Sequence, residues 1–157
     1  MQTLPEAGAE GRRMSLFFNN LKLLEGFLLL VYFSYEDIRC RRISIYALLA
    51  GFATAAGYLI FARELAAWEY LAAGCVGVLF LLIGMAGESI GSGDGALIML
   101  YGFLFGLRRQ LIMLFIAVLF CAAAAAVLML TKKVKRTSRL PFVPFLLCGF
   151  CAALWMK

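Results

Sequence analysis

The chain has 157 residues, of which 64% are hydrophobic and 15% are charged, with a formal net charge of +6 and no histidine. Soluble domains have about 45–50% apolar and about 25% charged residues, so this composition excludes a water-soluble globular protein and indicates a membrane protein. The missing histidine excludes a Ser-His nucleophile pair and the commonest metal ligand, which leaves carboxylates, thiols and lysines for any chemistry.

Charged residues and turn formers divide the chain into a polar N-terminal leader, residues 1–20, and a single membrane-embedded domain, residues 21–157. A spanning helix needs about 20 apolar residues, and an unpaired strand edge finds no partner in lipid. We therefore predict an all-α, polytopic membrane helix bundle with about six transmembrane helices. The predicted helices cover about 21–35, 45–62, 70–86, 90–107, 111–130 and 141–156.

Clusters of cations predict the orientation of this bundle. Arg39, Arg41 and Arg42 follow the first predicted helix, and residues 132–139 carry a second cluster after the fifth. Both connections fall on the same side, which we predict to be cytoplasmic because Lys and Arg accumulate there. The excess of cations is then explained by orientation and lipid contact, and nucleic-acid binding is not expected.

The five cysteines are an odd number spread mostly through apolar stretches, which argues against a disulfide framework. We expect them to be small, buried apolar residues. Cys148 and Cys151 form a C-x-x-C, but no second pair and no histidine completes a zinc site. The sequence therefore predicts neither a metal site nor a cofactor.

Asp37 and Asp94 are the only aspartates. Asp37 ends the first predicted helix and Asp94 lies in the loop before the fourth or within that helix, so the order of crossings predicts that both face the same side of the membrane. Two carboxylates that share a proton provide an acid and a base at one pH, as in aspartic proteases, without a metal or a histidine. The sequence therefore favours Asp37 and Asp94 as catalytic residues.

Three glycines surround the second aspartate: Gly91, Gly93 and Gly95. A backbone without Cβ lets a substrate chain approach and lets a helix unwind, so we predict that these glycines bind substrate. The predicted helix after Asp94 is short for a membrane span. We therefore expect Asp94 to lie below the membrane surface, beside a wet cavity.

Other residues receive plainer interpretations. Glu36 and Glu88 are second-line candidates, each expected to be a solvated interfacial acid. Glu25 precedes Asp37 on the first helix by about 18 Å and is expected to reach toward the outer headgroups. Gly102 and Gly106 form a small-x-x-x-small pair that is typical of helix packing.

Three segments resemble motifs of the prepilin peptidases, the membrane aspartyl proteases that cut the leader from type IV pilin precursors and related pseudopilins. Residues 37–43 are similar to the family's D-x-R-x-x-x-I, residues 91–94 to its G-x-G-D, and residues 140–145 to the P-F-x-P-F that opens its last helix. The resemblance implies that Asp37 and Asp94 are the catalytic pair of an endopeptidase. It also implies a prepilin or pseudopilin substrate and an active site at the cytoplasmic face of the inner membrane of a prokaryotic cell.

The chain departs from the family pattern in two places. Ser44 and Ile45 stand where the family has Pro-Asn, and Ala96 stands where it has lysine. The polar segments lack the paired C-x-x-C motifs of the family's methyltransferase domain, so no such domain is expected. Two alternatives stay open: an ion-coupled small transporter that uses Asp94 or Glu88, and a non-catalytic scaffold relative that keeps the fold.

Overall fold

The computed structural model describes residues 6–40, 43–61, 66–86, 92–131 and 141–155. Within these ranges the chain forms five helices and no strand, in agreement with the all-α prediction. They are α1 (Glu6–Cys40), α2 (Ile45–Phe61), α3 (Ala67–Ala86), α4 (Ser92–Leu130) and α5 (Val143–Trp155).

The first helix is longer than the sequence predicted. It has 35 residues and begins at Glu6, so residues 6–20 of the predicted leader are part of α1. At about 1.5 Å per residue the helix is about 52 Å long, whereas the apolar core of a bilayer is about 30 Å thick. A run of apolar residues marks only the part of a helix that lies in lipid, and α1 continues beyond that run.

A break at Gly106 divides α4 into a first limb, residues 92–105, and a second limb, residues 107–130. Gly106 has φ 78° and ψ 170°, a conformation open almost only to glycine. The Gln110 side chain donates to the Ile98 carbonyl at 2.9 Å, although twelve residues of straight helix would separate the two by about 18 Å. The chain therefore folds back at Gly106, close to where the sequence predicted a boundary between two helices.

The first limb of α4 lies in the middle of the bundle and supplies much of its core. Leu97, Leu100 and Tyr101 on this limb are fully buried. At Gly77 of α3 a Cβ atom would lie 2.4 Å from the Cα of Met99, so these two helices touch backbone to backbone. Only a small residue permits such an approach, and this close packing fixes the start of α4 relative to the end of α3.

Among the described residues, three helices are long and apolar enough to cross a membrane by length and composition, namely residues 13–40, 67–85 and 93–130, the last of which includes the break at Gly106, while α2 and α5 are shorter apolar helices. The expected number of about six spans is therefore not confirmed. Large apolar side chains cover the outside of the bundle, as lipid-facing helices require. The cysteines are free, and the expectation that they are buried is wrong: four are exposed and Cys121 is half-buried.

Candidate active site

The Asp37 side chain lies in the last turn of α1 and is half-buried. Its Oδ2 atom accepts the backbone N–H of Val143, the first residue of α5, at 3.1 Å. The carbonyl of Phe142 accepts the N–H groups of Phe145 and Leu146, which makes Phe142 the N-cap of α5. Asp37 thus satisfies one of the backbone donors that the first turn of α5 leaves without a partner inside the helix.

The sequence explains why α5 begins at this point. Pro141 precedes the helix and Pro144 lies in its first turn, where a fixed φ suits the helix and the missing N–H costs no hydrogen bond. The N-terminal end of a helix carries a partial positive charge, which stabilises nearby anions. The third motif of the sequence therefore supplies both a donor and a favourable dipole to the Asp37 carboxylate.

Asp94 lies in the first turn of α4 and is half-buried. A carboxylate in this position also benefits from the positive end of its helix. Gly91 and Glu88 fall outside the described residues.

The contact between Gly93 and Ile43 joins the two segments that carry the aspartates. A Cβ atom on Gly93 would lie 2.8 Å from Cδ1 of Ile43 and 3.2 Å from its Cβ, closer than side chains normally approach. Gly93 directly precedes Asp94, and Ile43 lies in the short connection that follows Asp37 and α1. Asp37 and Asp94 are therefore brought to the same end of the bundle, on adjacent segments.

Gly95 has a packing role in this structure. A Cβ atom there would lie 2.5 Å from the backbone N and Cα of Leu81 in α3. The residue is buried, and α3 occupies the space that a side chain would need. Binding of substrate by Gly91, Gly93 and Gly95 stays a prediction.

Glu36, expected to be a solvated interfacial acid, makes two hydrogen bonds that the sequence did not predict. The side chain is half-buried, and both of its oxygens have partners. The Tyr32 hydroxyl donates to Oε1 at 2.8 Å. The backbone N–H of Ser44 donates to Oε2 at 2.9 Å. Glu36 therefore links α1 to the residue just before α2.

Glu25 belongs to a second polar cluster, in which Glu25 and Tyr58 are half-buried. It hydrogen-bonds with the Tyr58 hydroxyl. The ammonium group of Lys22 is buried and lies 5.3 Å from the centre of the Tyr58 ring. The expected reach of Glu25 toward the outer headgroups stays a prediction. The cluster is about 18 Å along α1 from Asp37 and takes no part in the site around the aspartates.

Sequence reasoning did not find the N–H of Val143 as a partner of Asp37. A partial signal was available, because Pro141 and Pro144 mark the start of a helix and hence a set of unpaired backbone donors. Nothing in the sequence indicates that Asp37, 106 positions earlier, accepts one of them. That pairing depends on where α1 and α5 meet.

The fold and the site define a helical membrane protein whose only two aspartates lie at one end of the bundle, each near the N-terminus of a helix. Residues 24–127 match the sequence model described as the type IV leader peptidase family. The match covers more than half of the 157 residues and contains both aspartates, so the chain belongs to the type IV leader peptidase family and is a leader-peptidase-like protease. Neither a curated protein nor a solved structure matches it significantly.

Proposed function

We propose that the chain is a multi-pass membrane aspartyl endopeptidase that removes the leader from type IV prepilin-like precursors, with Asp37 and Asp94 as its catalytic pair. The observation that carries the proposal is the packing of Gly93 against Ile43, because it joins the segments that bear the only two aspartates. Membership of a leader peptidase family supports the reaction class.

The chemistry needs only the two carboxylates and water. The ionised member of the pair takes a proton from a water molecule, which attacks the scissile carbonyl carbon. The protonated member donates a hydrogen bond to the carbonyl oxygen as negative charge develops there. Collapse of the tetrahedral intermediate breaks the C–N bond, and the leaving amine takes a proton from the pair. The single proton belongs to the pair as a unit, so we assign no fixed acid and base.

The substrate is a single-span precursor with a short basic leader, then glycine, then an apolar helix. We propose that its cleavage site lies at the cytoplasmic face, because Arg39, in the last turn of α1, lies at the same end of the bundle as Asp37, and two further arginines follow in the sequence. The apolar stem of the precursor would lie along the exposed, lipid-facing helices. The half-buried aspartates would then lie beside the scissile peptide bond, which directly precedes that stem.

The direct test changes each aspartate to asparagine in cells that also produce such a precursor. Asp37→Asn and Asp94→Asn are each expected to abolish release of the leader, measured as the change in precursor mobility on a gel. Glu69→Gln is the matched control, because Glu69 lies in the first turn of α3, about 18 Å along that helix from the contact with Gly95. Continued cleavage in both aspartate variants would refute the two-aspartate mechanism.

This experiment and a flux measurement separate the alternatives. A scaffold relative would not cleave the precursor even with its natural sequence. A transporter would instead carry protons or solute across reconstituted vesicles, with flux lost on Asp94→Asn but kept on Asp37→Asn. Either result would replace the peptidase proposal.

A further inference from the structure

Glu36 lies near the C-terminal end of α1, beside the candidate catalytic residue Asp37, and its side chain binds the connection between α1 and α2. Ser44 is the N-cap of α2, because its carbonyl accepts the N–H of Leu48 at 3.1 Å. The N–H of an N-cap residue lies outside the helical hydrogen bonds and is often bound by an acid three residues into the helix. That position in α2 is Ala47, which has no side-chain acceptor. Glu36 of α1 provides the acceptor instead, at 2.9 Å.

The Glu36 carboxylate is itself held in place. Tyr32, one turn earlier on α1, donates its hydroxyl to the second carboxylate oxygen at 2.8 Å. Both oxygens therefore have a hydrogen-bond partner, and the two bonds together hold the carboxylate beside Ser44. This arrangement fits a residue that positions others and does not react itself.

The position of Ser44 determines the position of its neighbour Ile43. Ile43 packs against Gly93, and Gly93 directly precedes Asp94. A shift of Ser44 away from α1 would withdraw Ile43 from Gly93 and loosen the contact between the segments that bear the two aspartates. Catalytic pairs tolerate little displacement, since a shift of about 1 Å can cost about 100-fold in rate.

We propose that Glu36 is a positioning residue of the active site, which keeps Ile43 against Gly93 by holding the backbone N–H of Ser44. The inference rests on the proposed peptidase function. It is tested by one measurement that does not need activity and one that does, so that the two proposals can fail separately.

The first measurement is disulfide formation between Ile43→Cys and Gly93→Cys, with the natural cysteines changed to serine. The Cβ position at Gly93 is 3.2 Å from the Cβ of Ile43, against a usual separation of about 3.8 Å in disulfides, so a small adjustment lets the pair cross-link. Glu36→Ala is expected to slow cross-linking at least about five-fold, whereas Glu36→Gln, which keeps an acceptor, stays within about two-fold. Glu69→Ala is the control and leaves the rate unchanged. Equal rates in Glu36→Ala and the parent would overturn the proposal.

The second measurement is cleavage kinetics in proteoliposomes, with a synthetic precursor of a short basic leader, glycine and an apolar helix. Glu36→Ala is expected to lower kcat between about ten-fold and about 100-fold and to leave KM within about two-fold. The reason is that the two aspartates move relative to each other, whereas the apolar stem of the precursor still binds. Glu36→Gln is expected to recover most of kcat, and Tyr32→Phe to show a smaller loss. An unchanged kcat in Glu36→Ala, or no recovery in Glu36→Gln, would contradict a positioning role. If Asp37→Asn and Asp94→Asn still cleave, the two-aspartate mechanism fails, while the cross-linking rates still test whether Glu36 keeps Ile43 against Gly93.

Discussion

The carboxylate of Asp37 accepts the backbone N–H of Val143 at 3.1 Å, across 106 positions of the chain. This bond joins the end of α1 to the start of α5. The region that matches the leader peptidase family ends at residue 127, so α5 lies outside it and nevertheless contributes a donor to the site. The candidate active site therefore depends on the last helix as well as on the segments that bear the aspartates.

The Asp37–Val143 bond predicts different effects for two substitutions at Asp37. Asp37→Asn retains a side-chain oxygen that can accept the N–H, so its stability is expected to stay within about 0.5 kcal/mol of the parent. Asp37→Leu removes the acceptor and is expected to cost about 1–2 kcal/mol. Unfolding of the detergent-solubilised protein, followed by circular dichroism, measures the difference. Equal stabilities for the two variants would show that the bond contributes nothing.

The contact between Gly93 and Ile43 predicts a pair of variants that compensate. Gly93→Ala would bring a Cβ to 2.8 Å from Cδ1 of Ile43, so one of the two segments must move, and cleavage activity is expected to fall at least about ten-fold. Ile43→Val removes Cδ1 and is expected to restore part of that activity in the double variant. Activity of the two single variants and the double variant toward the same precursor provides the test. A double variant no better than Gly93→Ala would argue against this contact.

The backbone contact between α3 and α4 predicts that Gly95→Ala greatly lowers the stability of the protein. A Cβ there would lie 2.5 Å from backbone atoms of Leu81, which cannot turn aside as a side chain can, and the cost is expected to be at least about 3 kcal/mol. Gly57→Ala in α2 is the matched control, since a Cβ at Gly57 has no neighbour within 4 Å. Alanine there is expected to gain about 0.5–1 kcal/mol from helix propensity. Thermal unfolding of both variants in the same detergent measures the contrast, and similar melting temperatures would refute it.

The break at Gly106 predicts that any residue with a side chain is strained in its backbone conformation at this position. With φ 78° and ψ 170°, Gly106→Ala is expected to cost about 1–3 kcal/mol. Gly106→Asn is expected to be no better, because asparagine tolerates a positive φ mainly at a ψ near about 45°. Unfolding free energies of the two variants test this point. A fully stable Gly106→Asn would indicate that the backbone adopts another conformation there.

The helices in the middle of the chain were largely predictable from the sequence. The prediction placed α2 at about 45–62 and α3 at about 70–86, and the structure has Ile45–Phe61 and Ala67–Ala86. Apolar runs bounded by charged and turn-forming residues mark such helices, because lipid excludes the charged residues from their centres. The start of α1 at Glu6 was missed because a helix that leaves the apolar layer loses this signal.

The sequence by itself determined that the protein is a helical membrane protein with two aspartates, since composition and residue counts establish this, and it predicted from the order of crossings that both aspartates face one side. Tertiary structure alone decided what lies around those aspartates: the N–H of Val143 binds Asp37, and Ile43 packs against Gly93, which directly precedes Asp94. It also showed that Glu36, expected to be a solvated interfacial acid, binds the N–H of Ser44 and thereby links α1 to α2. The physical reason is that hydropathy records which residues enter lipid, whereas hydrogen bonds between helix ends depend on how distant segments meet in the folded bundle.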